Sequence, residues 1–180
     1  MPFTSHYNSP LGGLTLASDG EALVGLWFDG QKHFPNSLSA DHSTTALPVF
    51  QETCRWLNVY FSGQIPDFTP KLNPQGTPFR KAVWNLLLEI PYGKTTTYGE
   101  LAKRLARTRN VATISAQAVG GAVGHNPVSL IVPCHRVIGT DGSLVGYAGG
   151  LDRKQWLLQL EAATIAASSN QGSSQKQIQP

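Results

Sequence analysis

The stretch SLIVPCHRVIG, residues 129–139, sets a thiol, an imidazole and a guanidinium side by side at Cys134, His135 and Arg136. A thiol is a strong nucleophile only as the thiolate, and with a reference pKa near ~8.5 it needs a neighbour that lowers that value or takes its proton. An adjacent imidazole can do so only if the chain turns after Pro133, because successive residues of a strand point to opposite faces. Arg136 adds positive charge that favours the thiolate. A nucleophile–base pair also needs a third group to fix the base's tautomer. Glu161, at the polar end of an otherwise apolar last helix, is a candidate, against its plainer reading as a solvated helix glutamate. The other cysteine, Cys54, falls on the apolar face of a helix and reads as a packed core residue. There is no CxxC pair, and His6, His33, His42 and His125 are scattered, so they read as surface or capping residues and no metal site is expected.

These groups need a frame. At 180 residues with 41% hydrophobic content, the chain suits one domain or two small ones sharing an interface. No apolar run reaches the ~18 residues of a membrane helix. The N-terminal MPFTSHYNSPLGG lacks the basic and apolar regions of a signal peptide. A cytoplasmic protein with free thiols is expected. The net charge of +3 is unevenly spread: residues 77–163 hold ten Lys/Arg against five Asp/Glu, in the half that carries Cys134. That is the footprint of a polyanion partner.

The pattern of the chain divides in the same way. FTSHYNS, LTLASD and ALVGLWFD, separated by turn residues, predict a β-meander over residues 1–30, followed by an irregular loop over 31–46. LPVFQETCRWLNVYFSG predicts an amphipathic helix with Val49, Phe50, Cys54, Leu57, Tyr60 and Phe61 inward. Residues 64–78 carry four prolines and read as an interdomain linker. Beyond it, Thr77 caps a helix with Phe79, Val83, Trp84, Leu87 and Leu88 inside. TTTYGELAKRLARTRN repeats the pattern, with Tyr98, Leu101, Ala102 and Leu105 inward and Lys103, Arg104 and Arg107 outward. TISAQAVGGAVGHNP is a helix of small residues, which suits close packing or close approach to a DNA groove. Together the two predict a helix-turn-helix. The apolar run Leu130–Val132 reads as a strand, LDRKQWLLQLE as a last helix, and the polar tail from Ala166 as disordered.

The string NPVSLIVPCHRVIGTDGSLVGYAGGLDRKQWLLQLE, with TPFRKAVWNLLLEIPYGKTTTYGELAKRLA upstream, resembles the O6-alkylguanine-DNA alkyltransferase family over residues 77–161. The first 70 residues resemble it only in layout. The resemblance implies an α/β N-terminal domain over 1–72, a small antiparallel sheet plus helix of ribonuclease H-like kind. A mainly α, winged helix-turn-helix-like domain over 73–165 would follow, then the tail at 166–180. It implies irreversible transfer of the alkyl group from O6-alkylguanine, and from O4-alkylthymine, to Cys134, once per molecule and without a cofactor. The partner is double-stranded DNA bound through the minor groove with the base flipped out, without a membrane or an obligate protein partner. His135 is implied as general base working through a water held by Glu161, Asn126 as the brace of the turn, and Tyr98 as proton donor to guanine N3. Val137, Tyr147 and Ala148 are implied as substrate contacts, and Thr97, Gln117, Ala118, Gly121 and Arg136 as substrate or DNA contacts. The family usually has arginine where this chain has Gln117; Arg107 and Arg109 are candidates to compensate. Phosphate binding is expected from Lys94, Lys103, Arg104, Arg107 and Arg136. Two other readings compete: a non-catalytic protein that binds alkylated bases, and an unrelated Cys-His hydrolase with turnover.

Overall fold

The computed structural model describes residues 3–35 and 46–174, with side chains to residue 170. Most of the expected 31–46 loop, His42 and the end of the tail (175–180) lie outside the described residues. Three antiparallel strands, β1 (Phe3–Ser9), β2 (Gly12–Ser18) and β3 (Leu23–Phe28), form a meander in that order. Leu14 and Leu16 of β2, with Leu23, Leu26 and Phe28 of β3, are fully buried. Helix α1 (Pro48–Phe61) belongs to the same core through Phe50, Trp56, Leu57 and Tyr60. Cys54 departs from expectation: it is half-buried at the edge of this core, while Trp56 takes the interior place.

The free edge of β3 positions everything that follows. An unpaired edge exposes a row of N–H and C=O groups that must find partners. At one end the proline-rich linker supplies them: Leu23 N donates to Lys71 O (2.8 Å) and Asn73 N to Leu23 O (2.9 Å). The segment leading to Cys134 takes over farther along. There Leu26 N donates to Pro127 O (2.8 Å) and Ser129 N to Leu26 O (2.8 Å). The sheet of the first half thus holds the main chain of the second half in register with the thiol.

The second half is helical. Helix α2 (Pro78–Leu88) starts at Thr77, whose side chain accepts from Arg80 N. Its inner face is Val83, Trp84, Leu86 and Leu87, whereas Leu88, expected inside, is 44% exposed. A short strand β4 (Thr96–Thr97) precedes α3 (Tyr98–Arg109), which ends on Asn110 in the left-handed region at φ 51°. Helix α4 (Ala116–Gly124), capped by Ser115, packs on α3 and on α2. The Trp84 Nε1–H donates to Ala122 O at 2.9 Å and locks α2 to α4.

The run Leu130–Val132 is not a strand. It is buried, but its chain makes tight turns: Ile131 N donates to Ser129 O and Cys134 N to Val132 O, both at 2.8 Å. Leu130 sits at φ 70°, unfavourable for a branched residue and held only because its surroundings are fixed. A single 3₁₀ turn, Cys134–Arg136, follows and leads into β5 (Val137–Ile138), which pairs in parallel with β4. The last helix, α5, runs Leu151–Ser174 and overtakes the tail expected to be disordered from Ala166. Its extra turns are alanine- and serine-rich. Ser168 and Ser169 return their hydroxyls to the carbonyls of Thr164 and Ile165, both at 3.0 Å.

Candidate active site

The turn that carries Cys134 is built by one side chain. Asn126 Nδ2 donates to Val132 O at 2.7 Å and Val128 O at 3.3 Å, while its Oδ1 accepts from Val128 N at 3.0 Å. The same amide lies 3.2 Å from Cys134 Sγ. One amide therefore shapes the loop and offers a donor to the sulfur. The thiol is 4% exposed. Burial raises its pKa, against the Asn126 hydrogen bond, the charge of Lys154 and nearby backbone N–H groups. The resting form is therefore the protonated thiol, which needs a base.

His135 is fully buried in the next position of the 3₁₀ turn. Its Nε2 is 2.7 Å from Glu161 Oε1. Burial would raise the Glu161 carboxyl, but His135 and Arg136 outweigh it and hold the group at about 2. Glu161 is thus an anion and accepts only, which assigns the ring proton to Nε2. Burial lowers the His135 pKa despite the carboxylate, so the ring is neutral near pH 7. Its other nitrogen, Nδ1, is a buried acceptor with no hydrogen-bond partner among the described residues. Glu161 thus meets the ring directly at Nε2, and Nδ1 is the ring nitrogen left for another partner.

Arg136 corrects the sequence reading. It is 8% exposed, its Nε and Nη2 lie at 2.9–3.2 Å from the Glu161 oxygens, and its Nη1 donates to Ile90 O at 2.7 Å. Its guanidinium also lies over the Tyr92 ring. Such a side chain is spent on the interior and is not available to a phosphate. Nor is it the charge that acts on the thiol; that is Lys154.

Four groups at the site were missed. Lys154 of α5 is fully buried, its ammonium donating to Val137 O (2.5 Å) and Val145 O (2.6 Å). Burial lowers its pKa to about 8 against the charge of Cys134. The Tyr60 hydroxyl, from α1, donates to Glu161 Oε1 at 2.8 Å. Gly93 N donates to Glu161 Oε2 at 2.9 Å. Gly93 stands at φ 73°, in the left-handed region that favours glycine, and a Cβ there would press on the Ile165 side chain at 2.6 Å. Tyr92 stacks edge-on against Tyr60. Tyr60 reads as core from its helical spacing and Lys154 counts only among the basic residues, and only their long-range partners distinguish them.

The other expected residues surround this centre. The Tyr98 hydroxyl donates to Val145 O (3.0 Å) and Gly146 O (3.3 Å), and burial and Cys134 raise its pKa to about 12. The Tyr147 hydroxyl is buried without a hydrogen-bond partner among the described residues. The Ala148 carbonyl accepts from Lys32 N at 3.1 Å. The Val137 carbonyl already accepts from Lys154. Thr97 Oγ1 caps α3 by accepting from Glu100 N. Gln117, Ala118 and Gly121 lie on the exposed face of α4. A cleft of about 470 Å³ runs between that helix and the loop at Gly146–Ala148, with Lys32 and His33 of the first half on its far side. Of the expected compensating arginines, Arg109 is engaged: it donates to Pro78 O at 3.2 Å and lies over the Phe79 ring.

Residues 78–163 match the model of the 6-O-methylguanine DNA methyltransferase DNA-binding domain, and residues 3–74 match that family's ribonuclease-like domain. A methylated-DNA–protein-cysteine methyltransferase of Haemophilus influenzae is 44% identical over 160 residues, covering 88% of this chain and 86% of the relative. One from Mycobacterium tuberculosis is 44% identical over 165 residues, covering 90% and 95%. Among solved structures, M. tuberculosis OGT in complex with DNA overlays with a TM-score of 0.76 at 43% identity, covering 88% of this chain and 92% of that one. An O6-methylguanine DNA methyltransferase from Methanococcus jannaschii overlays with a TM-score of 0.59 at 30% identity, covering 83% and 88%.

Proposed function

This chain belongs to the 6-O-methylguanine DNA methyltransferase family, and from that premise we propose that Cys134 is its alkyl acceptor. The protein binds DNA and repairs it by moving an alkyl group from a modified base onto a cysteine. The observation that supports Cys134 is a buried thiol bonded by the Asn126 amide and followed in the same turn by a buried imidazole that meets the Glu161 carboxylate through Nε2, its Nδ1 without a hydrogen-bond partner among the described residues.

The steps follow from the groups present. A water seated at Nδ1 passes the thiol proton to His135, since a buried polar nitrogen requires a partner. Glu161 stabilises the imidazolium through Nε2–H. Asn126 and Lys154 stabilise the thiolate. The sulfur lone pair forms a bond to the alkyl carbon, the carbon–O6 bond breaks, and its electron pair stays on guanine. Tyr98 gives its hydroxyl proton to N3, so that guanine leaves neutral. The O4-alkyl ether of thymine offers the same leaving oxygen. The thioether product has no leaving path, so each molecule acts once, and no step calls for a cofactor.

A thiol with 4% exposure cannot reach a base inside the stack, so the base is flipped out to meet it, with Gly121, Tyr147 and Ala148 as its contacts. Helix α4 enters the minor groove, its glycines permitting close approach and Gln117 filling the gap left by the base. Lys94, Lys103, Arg104 and Arg107 supply phosphate contacts, so affinity falls with salt. We divide the chain into domains at residues 72/73. No helix among the described residues is long and apolar enough to cross a membrane, and repair of DNA fits a cytoplasmic site. A non-catalytic lesion binder has no use for a buried thiol followed by a buried imidazole–carboxylate pair. The test is stoichiometry: O6-methylguanine lost from a duplex saturates at one per protein molecule. Continued turnover contradicts the reading and restores the hydrolase.

A further inference from the structure

Glu161 gathers more donors than a base-orienting carboxylate needs, and one comes from the other half of the molecule. Its Oε1 takes the Nε2–H of His135 at 2.7 Å and the Tyr60 hydroxyl at 2.8 Å. The Tyr60 oxygen is also 3.4 Å from His135 Nε2. Glu161 has no proton to give, so the Tyr60 O–H is committed to it, and the remaining lone pairs of that oxygen can only accept. They face Nε2 only at 3.4 Å, a contact weak beside the 2.8 Å bond to Glu161. Tyr60 is fully buried, lies parallel to Trp56 and edge-on to Phe61, Tyr92 and His135, and cannot swing away. A fully buried phenol that touches both members of an acid–base pair does more than fill space.

We propose that Tyr60 is a positioning residue for alkyl transfer: its hydroxyl draws on Glu161 Oε1 and so keeps His135 neutral and ready to accept the thiol proton. The inference rests on the reading of Cys134 and His135 given above. A carboxylate oxygen with an additional donor holds an imidazolium less tightly, and the ring then protonates at lower pH. The charged and titratable groups around the pair are Arg136 from the 3₁₀ turn, Lys154 from α5, Tyr92 from the loop after α2, Tyr147 from the loop before α5, and the Cys134 thiol itself. Tyr60 is the contribution of α1. The first domain therefore adds a hydroxyl to the reacting centre as well as a platform for its main chain.

The test is the pH dependence of single-turnover methyl transfer from an O6-methylguanine duplex. Tyr60→Phe moves the acid limb of the profile up by about half to one unit, a three- to tenfold rate loss at a pH on that limb, with less than about a twofold change on the plateau. Tyr60→3-fluorotyrosine, a stronger donor of nearly the same shape, moves the limb the opposite way and decides the question should Tyr60→Phe not fold. Phe61→Leu, which removes a ring packed on Tyr60 but keeps the hydroxyl, lowers the melting temperature and leaves the limb in place. An unmoved limb in both Tyr60 variants, or an equal movement in Phe61→Leu, overturns the proposal. Failure of the wild-type protein to take up a methyl group is a different result and overturns the parent reading.

Discussion

At the scale of single residues, charge around the thiol is set by residues whose sequence positions hide them. Arg136 is adjacent to His135 in the chain, yet its charge is consumed by Glu161. Lys154 lies 20 positions from Cys134 in the chain and reads as one more surface cation, yet it is buried with its charge felt at the sulfur. Its two carbonyl partners, Val137 and Val145, bracket the loop that follows the 3₁₀ turn and fix the ammonium in place. Lys154→Met keeps most of the side-chain volume and removes the charge, so single-turnover transfer slows about tenfold at pH 7 while the protein stays folded. An unchanged rate would remove Lys154 from the account. That Cys134 and His135 stand together at the candidate site was legible because their types are rare and adjacent. Tyr60 and Lys154 were not, because an amphipathic helix places aromatic and basic residues routinely, and only the tertiary fold gives them their partners.

At the scale of elements, α4 carries the strongest departure from the pattern of the family that the sequence resembles. Ser115 starts the helix cleanly, and Gln117 stands exposed in its first turn. A glutamine can hydrogen-bond with an orphaned base, but it brings neither charge nor the reach of arginine. Gln117→Arg therefore speeds repair of duplex O6-methylguanine several-fold and leaves reaction with the free base O6-benzylguanine unchanged. Equal rates on duplex for the two proteins would sink the idea that Gln117 fills the gap. Helices α1 to α3 were legible from their period, with Thr77 and Thr97 each accepting from a backbone N–H three residues on, and α4 from its run of small residues. The run Leu130–Val132 was misread because apolarity reports burial and not backbone shape. The deciding groups are the Asn126 amide and the edge of β3, neither visible in a window of apolar residues. The end of α5 was misread in the same way, from polarity alone.

At the scale of the molecule, the two halves meet along β3 and through Tyr60, and the centre between them stores a dependence on pH. Glu161 has its carboxyl held at about 2 instead of the ordinary 4.5. A depressed carboxylate contributes stability above its unfolded value that is lost as pH falls toward its folded value, on the order of 3 kcal/mol here. His135, lowered from 6.5, works in the same direction, because the unfolded chain takes up its proton first. Stability thus declines below about pH 6.5 and steeply between about 4.5 and 2. Glu161→Gln flattens that decline in urea melts across pH, and an equally steep decline in the variant would contradict the assignment. The division into a sheet half and a helical half was legible from the proline-rich linker. That the linker and the Cys134 segment share one strand edge was not, because edge pairing joins residues distant in sequence.

The central claim is that Cys134 takes the alkyl group, and intact-protein mass reads it directly. The wild-type protein is incubated with an O6-methylguanine duplex beside Cys134→Ala, which keeps Cys54. A single gain of about 14 Da that stops at one per molecule, absent in Cys134→Ala, is the predicted result for a thiol captured as thioether. A gain that persists in Cys134→Ala, or none in the wild type while the duplex stays bound, would contradict the account.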